Sequence, residues 1–445
     1  NGNITMPVGS VLGVGVLVGT LNYVSVRAGQ LTFTDIDRTF TIGVTDPNYS
    51  DFYRSAVNSN GRGFAFDPDA KKAFNGSLLR WGLADQQNTN INQINRFYSE
   101  NFDEVNSAGG DIQRLCTVGN IFRVFQNTLI GRYGVYGRFI RSGQSNGVVL
   151  TTTDEILAKT NIQYYAGQNG MGTQYTSLVT NGYVNYLKNP IKGYDIRLSE
   201  DGITEINRIY KGQYFIGGMV AKYNKNFLRA DGAKSLILGA FDYIEQEYIS
   251  ILQGGTAGSD TITNQCYTFN EQRNAYSSFF DFADADHINS GDDKIFTWQG
   301  GQVYIHDNTT NYTKYFGVQY KPSITLVFNQ SMIQTKDWMN IIYRGNRYWA
   351  SPVNGDINTS MFNSQTGLQQ ISALISQDYT IAEGKYAANF LRDVNSMDNP
   401  QIALLEGDVL KGDWMEIRFE YNGSQQAWFL IPAINYIDSP QNMGK

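Results

Sequence analysis

Ser177-Leu178-Val179-Thr180-Asn181-Gly182-Tyr183-Val184-Asn185-Tyr186-Leu187 and, shortly after it, Asp195-Ile196-Arg197-Leu198-Ser199-Glu200-Asp201-Gly202-Ile203-Thr204-Glu205-Ile206 decide the fold class. Asn181-Gly182 and Asp201-Gly202 supply the positive φ that tight hairpin turns require, and each stands between β-branched or aromatic runs. The cadence recurs outward. Arg27-Ala28-Gly29-Gln30 parts Tyr23-Val24-Ser25-Val26 from Leu31-Thr32-Phe33, and Gly300-Gly301 parts Ile295-Phe296-Thr297-Trp298 from Val303-Tyr304-Ile305. Asn422-Gly423 lies between the runs 414–421 and 428–431. Helical signals are sparse. Asp154-Glu155-Ile156-Leu157-Ala158-Lys159, after three Thr, suits one or two capped turns. Segments 367–375 and 386–392 suit a short helix or a strand equally.

Tandem hairpins suggest a propeller, a sandwich or a barrel. Between 234 and 329 the runs 241–252, 266–270, 276–282, 295–298, 303–306 and 324–328 read as blade-like strands, although no fixed repeat period emerges. The expected fold is therefore mainly β: a propeller-like array of antiparallel hairpins with a C-terminal β-domain. The expected division is 1–115 for N-terminal hairpins and an ordered Asn-rich loop, 116–330 for the blades, and 331–445 for the C-terminal domain.

The chain has 445 residues, which at roughly 150 per domain is about three domains. Charged residues are only 17% of it, whereas 29 Tyr, 25 Phe, 6 Trp, 42 Asn and 28 Gln are plentiful. Such aromatic richness at low net charge is not the composition of a disordered chain. A net charge of −6 and a pI near 5.1 give no basic field for nucleic acid. The most apolar stretch, Val11-Leu12-Gly13-Val14-Gly15-Val16-Leu17-Val18, is far short of the ~18 residues of a membrane span. It lacks a basic segment before it and reads as a buried strand. Cys116 and Cys266 are distant in sequence and form no CxxC. Core thiols are the favoured reading, with one long-range bridge left open.

No motif demands an enzyme. Gly143-Gln144-Ser145-Asn146-Gly147 matches the nucleophile-elbow pattern, but the following Val148-Val149-Leu150-Thr151 reads as a strand where the elbow needs a helix. Asp281, Asp284, Asp286, Asp292 and Asp293, with His287 among them, fail as an EF-hand because Asn289 and Ile295 stand where Gly and Glu are required. A solvated acidic loop is the simpler reading, with an irregular calcium site as the alternative. His287 and His306 are the only histidines, too few for a two- or three-His zinc site, and His306 reads as a polar strand end. The glycines from Gly13 to Gly19 have the wrong spacing for a dinucleotide fingerprint, and no Walker A sequence occurs. No catalytic, metal or cofactor-binding residue is assigned, and no cofactor is expected.

An ordered series of short motifs carries more. Asn88-Thr89-Asn90-Ile91-Asn92-Gln93-Ile94-Asn95-Arg96-Phe97-Tyr98 is followed by Gly110-Asp111-Ile112-Gln113-Arg114-Leu115 and Val124-Phe125-Gln126. Then come Tyr164-Tyr165-Ala166-Gly167, Gly170-Met171-Gly172 and Arg197-Leu198-Ser199-Glu200-Asp201-Gly202. Later members are Thr268-Phe269-Asn270-Glu271, the segment 296–307, and Tyr315-Phe316-Gly317-Val318-Gln319-Tyr320. Ile381-Ala382-Glu383-Gly384-Lys385-Tyr386-Ala387-Ala388, Leu391-Arg392-Asp393 and Leu405-Glu406-Gly407-Asp408 complete it. In that order they resemble the muzzle (stabilization or nozzle) proteins of crAss-like bacteriophage tails. The motif positions carried over, for assembly or structure, are Asn90, Asn92, Asn95, Arg96, Tyr98, Tyr164, Tyr165, Gly167, Gly172, Glu383, Gly384, Arg392 and Asp393.

The resemblance implies a structural virion protein of a short non-contractile tail and no enzyme. It implies a homo-oligomeric ring that narrows and closes the DNA exit channel, set against other tail and connector ring proteins. Phage DNA would pass without sequence-specific binding, and no membrane partner is implied. Family members are longer and this chain starts at Asn1, so it is expected to be a proteolytically processed C-terminal portion accompanied by its N-terminal fragment. Few charges and many aromatics suit wide subunit interfaces, and a mildly acidic lumen would let DNA slide. Two alternatives are a carbohydrate- or receptor-binding tail module, with clustered exposed Tyr or Trp, and a propeller-type glycosidase. The latter requires two carboxylates about 5–9.5 Å apart in a pocket.

Overall fold

The computed structural model describes residues 74–438 apart from 85–96, 99, 142–147, 226, 230–231, 292, 307–309, 311 and 332. It also describes the backbone of three antiparallel strands, Asn3–Thr5, Gln30–Thr34 and Thr39–Gly43. The apolar run at 11–18 and the first strand of the hairpin expected at 23–33 lie outside the described residues. The protein is mainly β and its paired strands are antiparallel, as expected, but the described residues form no closed barrel or propeller. Two compact units emerge, 1–224 and 225–445. They do not follow the three-part division: position 115 falls inside the strand Ile112–Val118. Likewise Ser323–Phe328 pairs with Met415–Glu420 and so belongs with the C-terminal sheets.

In the first unit, Ile112–Val118, Ile121–Gln126 and Ile130–Arg141 form a meander joined by Val148–Leu157. Alternate residues of a strand point to opposite faces. Val124 accordingly enters a core with Leu79, Val105 and Tyr133, while Phe125 enters another with Met171, Leu187 and Ile196. Residues 154–157, expected as helical turns, end the strand Val148–Leu157, which pairs with Ile130–Arg141 through 148–152 and, past a register shift, through Leu157 opposite Val135. The deciding stretch folds as the meander Val179–Asn181, Val184–Asn189, Tyr194–Ser199 and Gly202–Glu205. Its turns lie one residue off the expected positions, with Gly182 and Gly202 both at positive φ. Helix Phe215–Lys222 lies against this sheet, and a Cβ on Gly193 (φ +69°) would come within 2.5 Å of the Gly217 carbonyl.

Two buried cations tie this unit together. Lys188 and Asp195 are directly opposite across two strands, and Nζ meets Oδ2 at 2.7 Å with both side chains out of water. Desolvation lowers the Lys188 pKa while Asp195 opposes the shift. Arg123 is also buried and is met by neutral oxygens: Asn185 Oδ1 and the carbonyls of Tyr183 (3.4 Å) and Leu198 (3.5 Å). Cys116 and Cys266 are unbridged thiols, the second fully buried.

The second unit opens with a meander of Ile237–Asp242, Glu247–Leu252, Gln265–Asn270 and Ala275–Phe279, then one of His287–Ser290, Ile295–Gln299 and Gln302–Ile305. These are the expected blade-like runs, without radial closure. Gly300 and Gly301 sit in their turn at φ of 56° and 79°. His306 is more than a polar strand end. Its Nε2 bonds the Thr297 hydroxyl at 2.7 Å, and its ring lies 4.7 Å from Phe282 and 5.9 Å from Tyr315.

Two sheets then pack face to face as a sandwich. One runs Ser323–Phe328, Met415–Glu420, Ile357–Phe362, Gln369–Ser372; the other runs Thr380–Ala382, Lys385–Asn389, Lys336–Gly345, with Phe429–Asp438 on the far side. Strands Met415–Glu420 and Phe429–Asp438 thus belong to different sheets, and Asn422-Gly423 does not make the expected hairpin. The ambiguous segments 367–375 and 386–392 each contribute a strand. The core centres on Tyr343, stacked on Tyr386 at 5.1 Å and in contact with Phe419 and Phe429. The Tyr343 hydroxyl accepts from the Trp349 N–H at 2.6 Å and donates to the Trp349 carbonyl at 3.2 Å. Lys336, fully buried, donates to the carbonyls of Ser331, Gln334 and Asp413 beneath the rings of Trp338 and Tyr436. Edge strand Phe429–Asp438 carries Pro432 and two register shifts, whereas edge strand Ser323–Phe328 pairs without a break and holds no charge or proline.

Replacing Lys188 with Ala strands a buried carboxylate, and equilibrium unfolding in denaturant should show a loss of about 3–5 kcal/mol. The double variant Lys188→Met/Asp195→Leu should recover most of it. Burial lowers the His306 pKa from 6.5 to about 4. The stability contributed by the neutral ring is therefore complete above pH 6.5 and lost as pH falls toward 4. The unfolding free-energy difference between wild type and His306→Gln should shrink across that window; a pH-independent difference would contradict the assignment.

Candidate functional site

The C-terminal motif residues converge on one polar knot. Asp393 caps a short 3-10 turn, Val394–Ser396, and its carboxylate is fully buried. Oδ1 accepts from the backbone N–H groups of Ile371 and Asn395, each at 3.1 Å. Oδ2 accepts from the Asn363 amide at 3.2 Å, and that amide also reaches Asp408 Oδ2 at 3.2 Å. The backbone closes the ring, with Asp393 N–H donating to Asp408 O (2.9 Å) and Arg392 N–H to Leu404 O (2.9 Å). Ser396 Oγ donates to Asp393 O and accepts from Asp408 N–H. Gly407 has no room for a side chain: a Cβ would lie 2.4 Å from Ala403 O. Four segments remote in sequence are thereby tied by groups excluded from water, where each hydrogen bond is costly to lose. Glu383 and Gly384, by contrast, form an exposed two-residue turn with φ of 51° and 71°.

The motif around Tyr164 makes a second bracket, in the first unit. The Tyr164 hydroxyl accepts from the Asn106 N–H at 2.7 Å, and Tyr165 lies under the Arg132 guanidinium at 5.1 Å. Gly170, Met171 and Gly172 donate in turn to the carbonyls of Thr128, Gln126 and Asn127 at 2.8–3.1 Å. A Cβ on Gly170 would collide with Gln126 O at 2.5 Å, while Gly167 and Gly172 hold φ of 82° and 57°. Asn90, Asn92, Asn95 and Arg96 lie outside the described residues. Tyr98 is half-buried and its carbonyl accepts from Asn101 N–H. Of the nine motif positions described, Tyr164, Tyr165, Gly167 and Gly172 fall in one bracket, Arg392 and Asp393 in the knot, Glu383 and Gly384 in the turn, and Tyr98 in none of these.

The remaining candidates are structural where they are described. Asp286 accepts from Arg229 and from Gly300 N–H, which lower its pKa, and Asp284 accepts from Asn264. Among the described residues no group of three or more His, Cys, Asp or Glu could hold a metal ion. Ser145 lies outside the described residues, and the segment after it, Val148–Leu157, is a strand. Asp393 and Asp408 share an amide, but the burial of Asp393 keeps that pair from any substrate. Asn363 and Lys336 carry no local signature of this role, because the carboxylates of Asp393 and Asp408 and the Asp413 carbonyl reach them from elsewhere in the chain.

In both brackets these side chains bind segments of a mainly β chain to one another. Residues 310–393 match the family model described as the Crassvirus muzzle protein C-terminal domain. No curated protein matches the chain. The family likeness therefore rests on residues 310–393, which support a crAss-like phage muzzle protein C-terminal portion.

Asp393→Ala should destabilise the second unit by about 3 kcal/mol, with Ile371 and Asn395 amides losing hydrogen-exchange protection ahead of the Tyr343 core. Uniform loss of protection would mean that the knot is not a distinct stabilising element.

Proposed function

We propose that this chain is a subunit of a homo-oligomeric ring in a short, non-contractile phage tail, where it narrows and closes the DNA exit channel. The match of residues 310–393 to the muzzle C-terminal domain carries this reading. Two physical features support it. The edge strand Ser323–Phe328 exposes Ile324 and Val327 and lacks the charges, bulges and prolines with which proteins guard such edges, so a neighbouring subunit is its natural cover. Large apolar side chains are exposed in both units, among them Tyr214 and Phe215 in the first and Val303 and Ile305 in the second. Other tail and connector proteins are the further partners of this assembly, and DNA passes through it without sequence readout.

A reconstruction of the intact particle tests the proposal. The expected density places several copies around the tail axis, with a lumen of neutral or negative potential. A fibre position away from the channel, or a strongly basic lumen, would refute it. In the assembled particle, Val327→Lys should lower incorporation of the chain while leaving the folded subunit intact.

A further inference from the structure

The outward face of the C-terminal sheet holds two cations that no carboxylate among the described residues pairs with. Arg344 and Lys385 are directly opposite in the sheet, both exposed. Like charges so placed repel, and among the described residues no carboxylate pairs with either. Glu383, in the adjoining turn, is exposed and pairs with neither. The pair stands out in a chain of net charge −6. Leu430 continues the same row, and beside it Trp428 is 43% exposed, the most exposed of the six Trp. Trp428 is held by its N–H to Asn346 Oδ1 at 2.9 Å, so its backbone is fixed before any ligand arrives. Along the same strands lies a row of amides: Asn389 opposite Asn340, which is bonded to Asn435 at 2.7 Å. Four residues of strand separate the cations from this row, about 13 Å.

We propose that this face binds an acidic oligosaccharide, a uronate-bearing chain. The two cations meet carboxylates, Trp428 offers a flat apolar surface to a sugar ring, and the amide row meets hydroxyls, each by ordinary complementarity. Charge sign favours an anionic ligand. The small number of cations favours a carboxylated sugar over nucleic acid, whose affinity comes mainly from many Lys and Arg contacts to phosphate.

The test uses the full chain titrated with an oligogalacturonate, with cellohexaose as the neutral counterpart and a single-stranded DNA oligonucleotide as the phosphate counterpart. Saturable oligogalacturonate binding is expected, weakening with salt and absent for cellohexaose. Arg344→Ala/Lys385→Ala and Trp428→Ala should each weaken it roughly tenfold or more without changing the melting temperature. Lys314→Ala, a cation elsewhere in the unit, should leave it unchanged. No saturable uronate binding, binding indifferent to these variants, or preference for DNA would overturn the proposal. Should Trp428→Ala fail to fold, Arg344→Gln alone decides, since its side chain is exposed.

Discussion

A charge taken out of water has to be met by fixed partners, and that requirement organises both units of this protein. Asp393, Lys336, Lys188 with Asp195, and Arg123 are all buried. Asp393 and Arg123 are answered by groups from distant parts of the chain, Lys336 by two near carbonyls and one distant one, and Lys188 and Asp195 by each other across adjacent strands. A hydrophobic core of similar volume would be as stable and less particular. What the polar groups add is selectivity of arrangement: the carboxylate of Asp393 is satisfied only when the strand at Ile371, the turn at Asn395 and the Asn363 loop occupy one set of positions. The aromatic core around Tyr343 supplies area; the knot determines which segments enclose it.

The β character of the chain was legible because hairpin turns are local. Gly300-Gly301 and the runs beside it need only each other. The sandwich was not, because its sheets are assembled from non-consecutive strands. Lys336–Gly345 pairs with both Lys385–Asn389 and Phe429–Asp438, and Ser323–Phe328 finds its partner almost a hundred residues later. In the last third of the chain, strands trade sequence neighbours for distant partners. Residues 154–157, helical in composition, likewise continue a strand, Val148–Leu157.

The candidate site was partly legible for the same reason. Asp393, Tyr164, Tyr165 and the glycines at 167 and 172 stood in recognisable motifs. Asn363 and Asn106 did not: Asn363 meets the carboxylates of Asp393 and Asp408, and Asn106 meets Tyr164 through its backbone N–H, contacts too remote in sequence to leave a spacing rule. The outward pair Arg344 and Lys385 was equally silent: in sequence it is two ordinary surface cations, and only the register of the sheet brings them together.

The two long edges of the C-terminal sandwich differ in kind. Pro432 and the register shifts spoil the template along Phe429–Asp438, while Ser323–Phe328 remains a clean one. In polymer terms, one long edge is capped and the other reactive, so the sandwich has low valence. Strand-to-strand stacking started at the clean edge cannot continue from the capped one. A chain rich in exposed β-branched and aromatic side chains is thereby steered away from open-ended fibre growth.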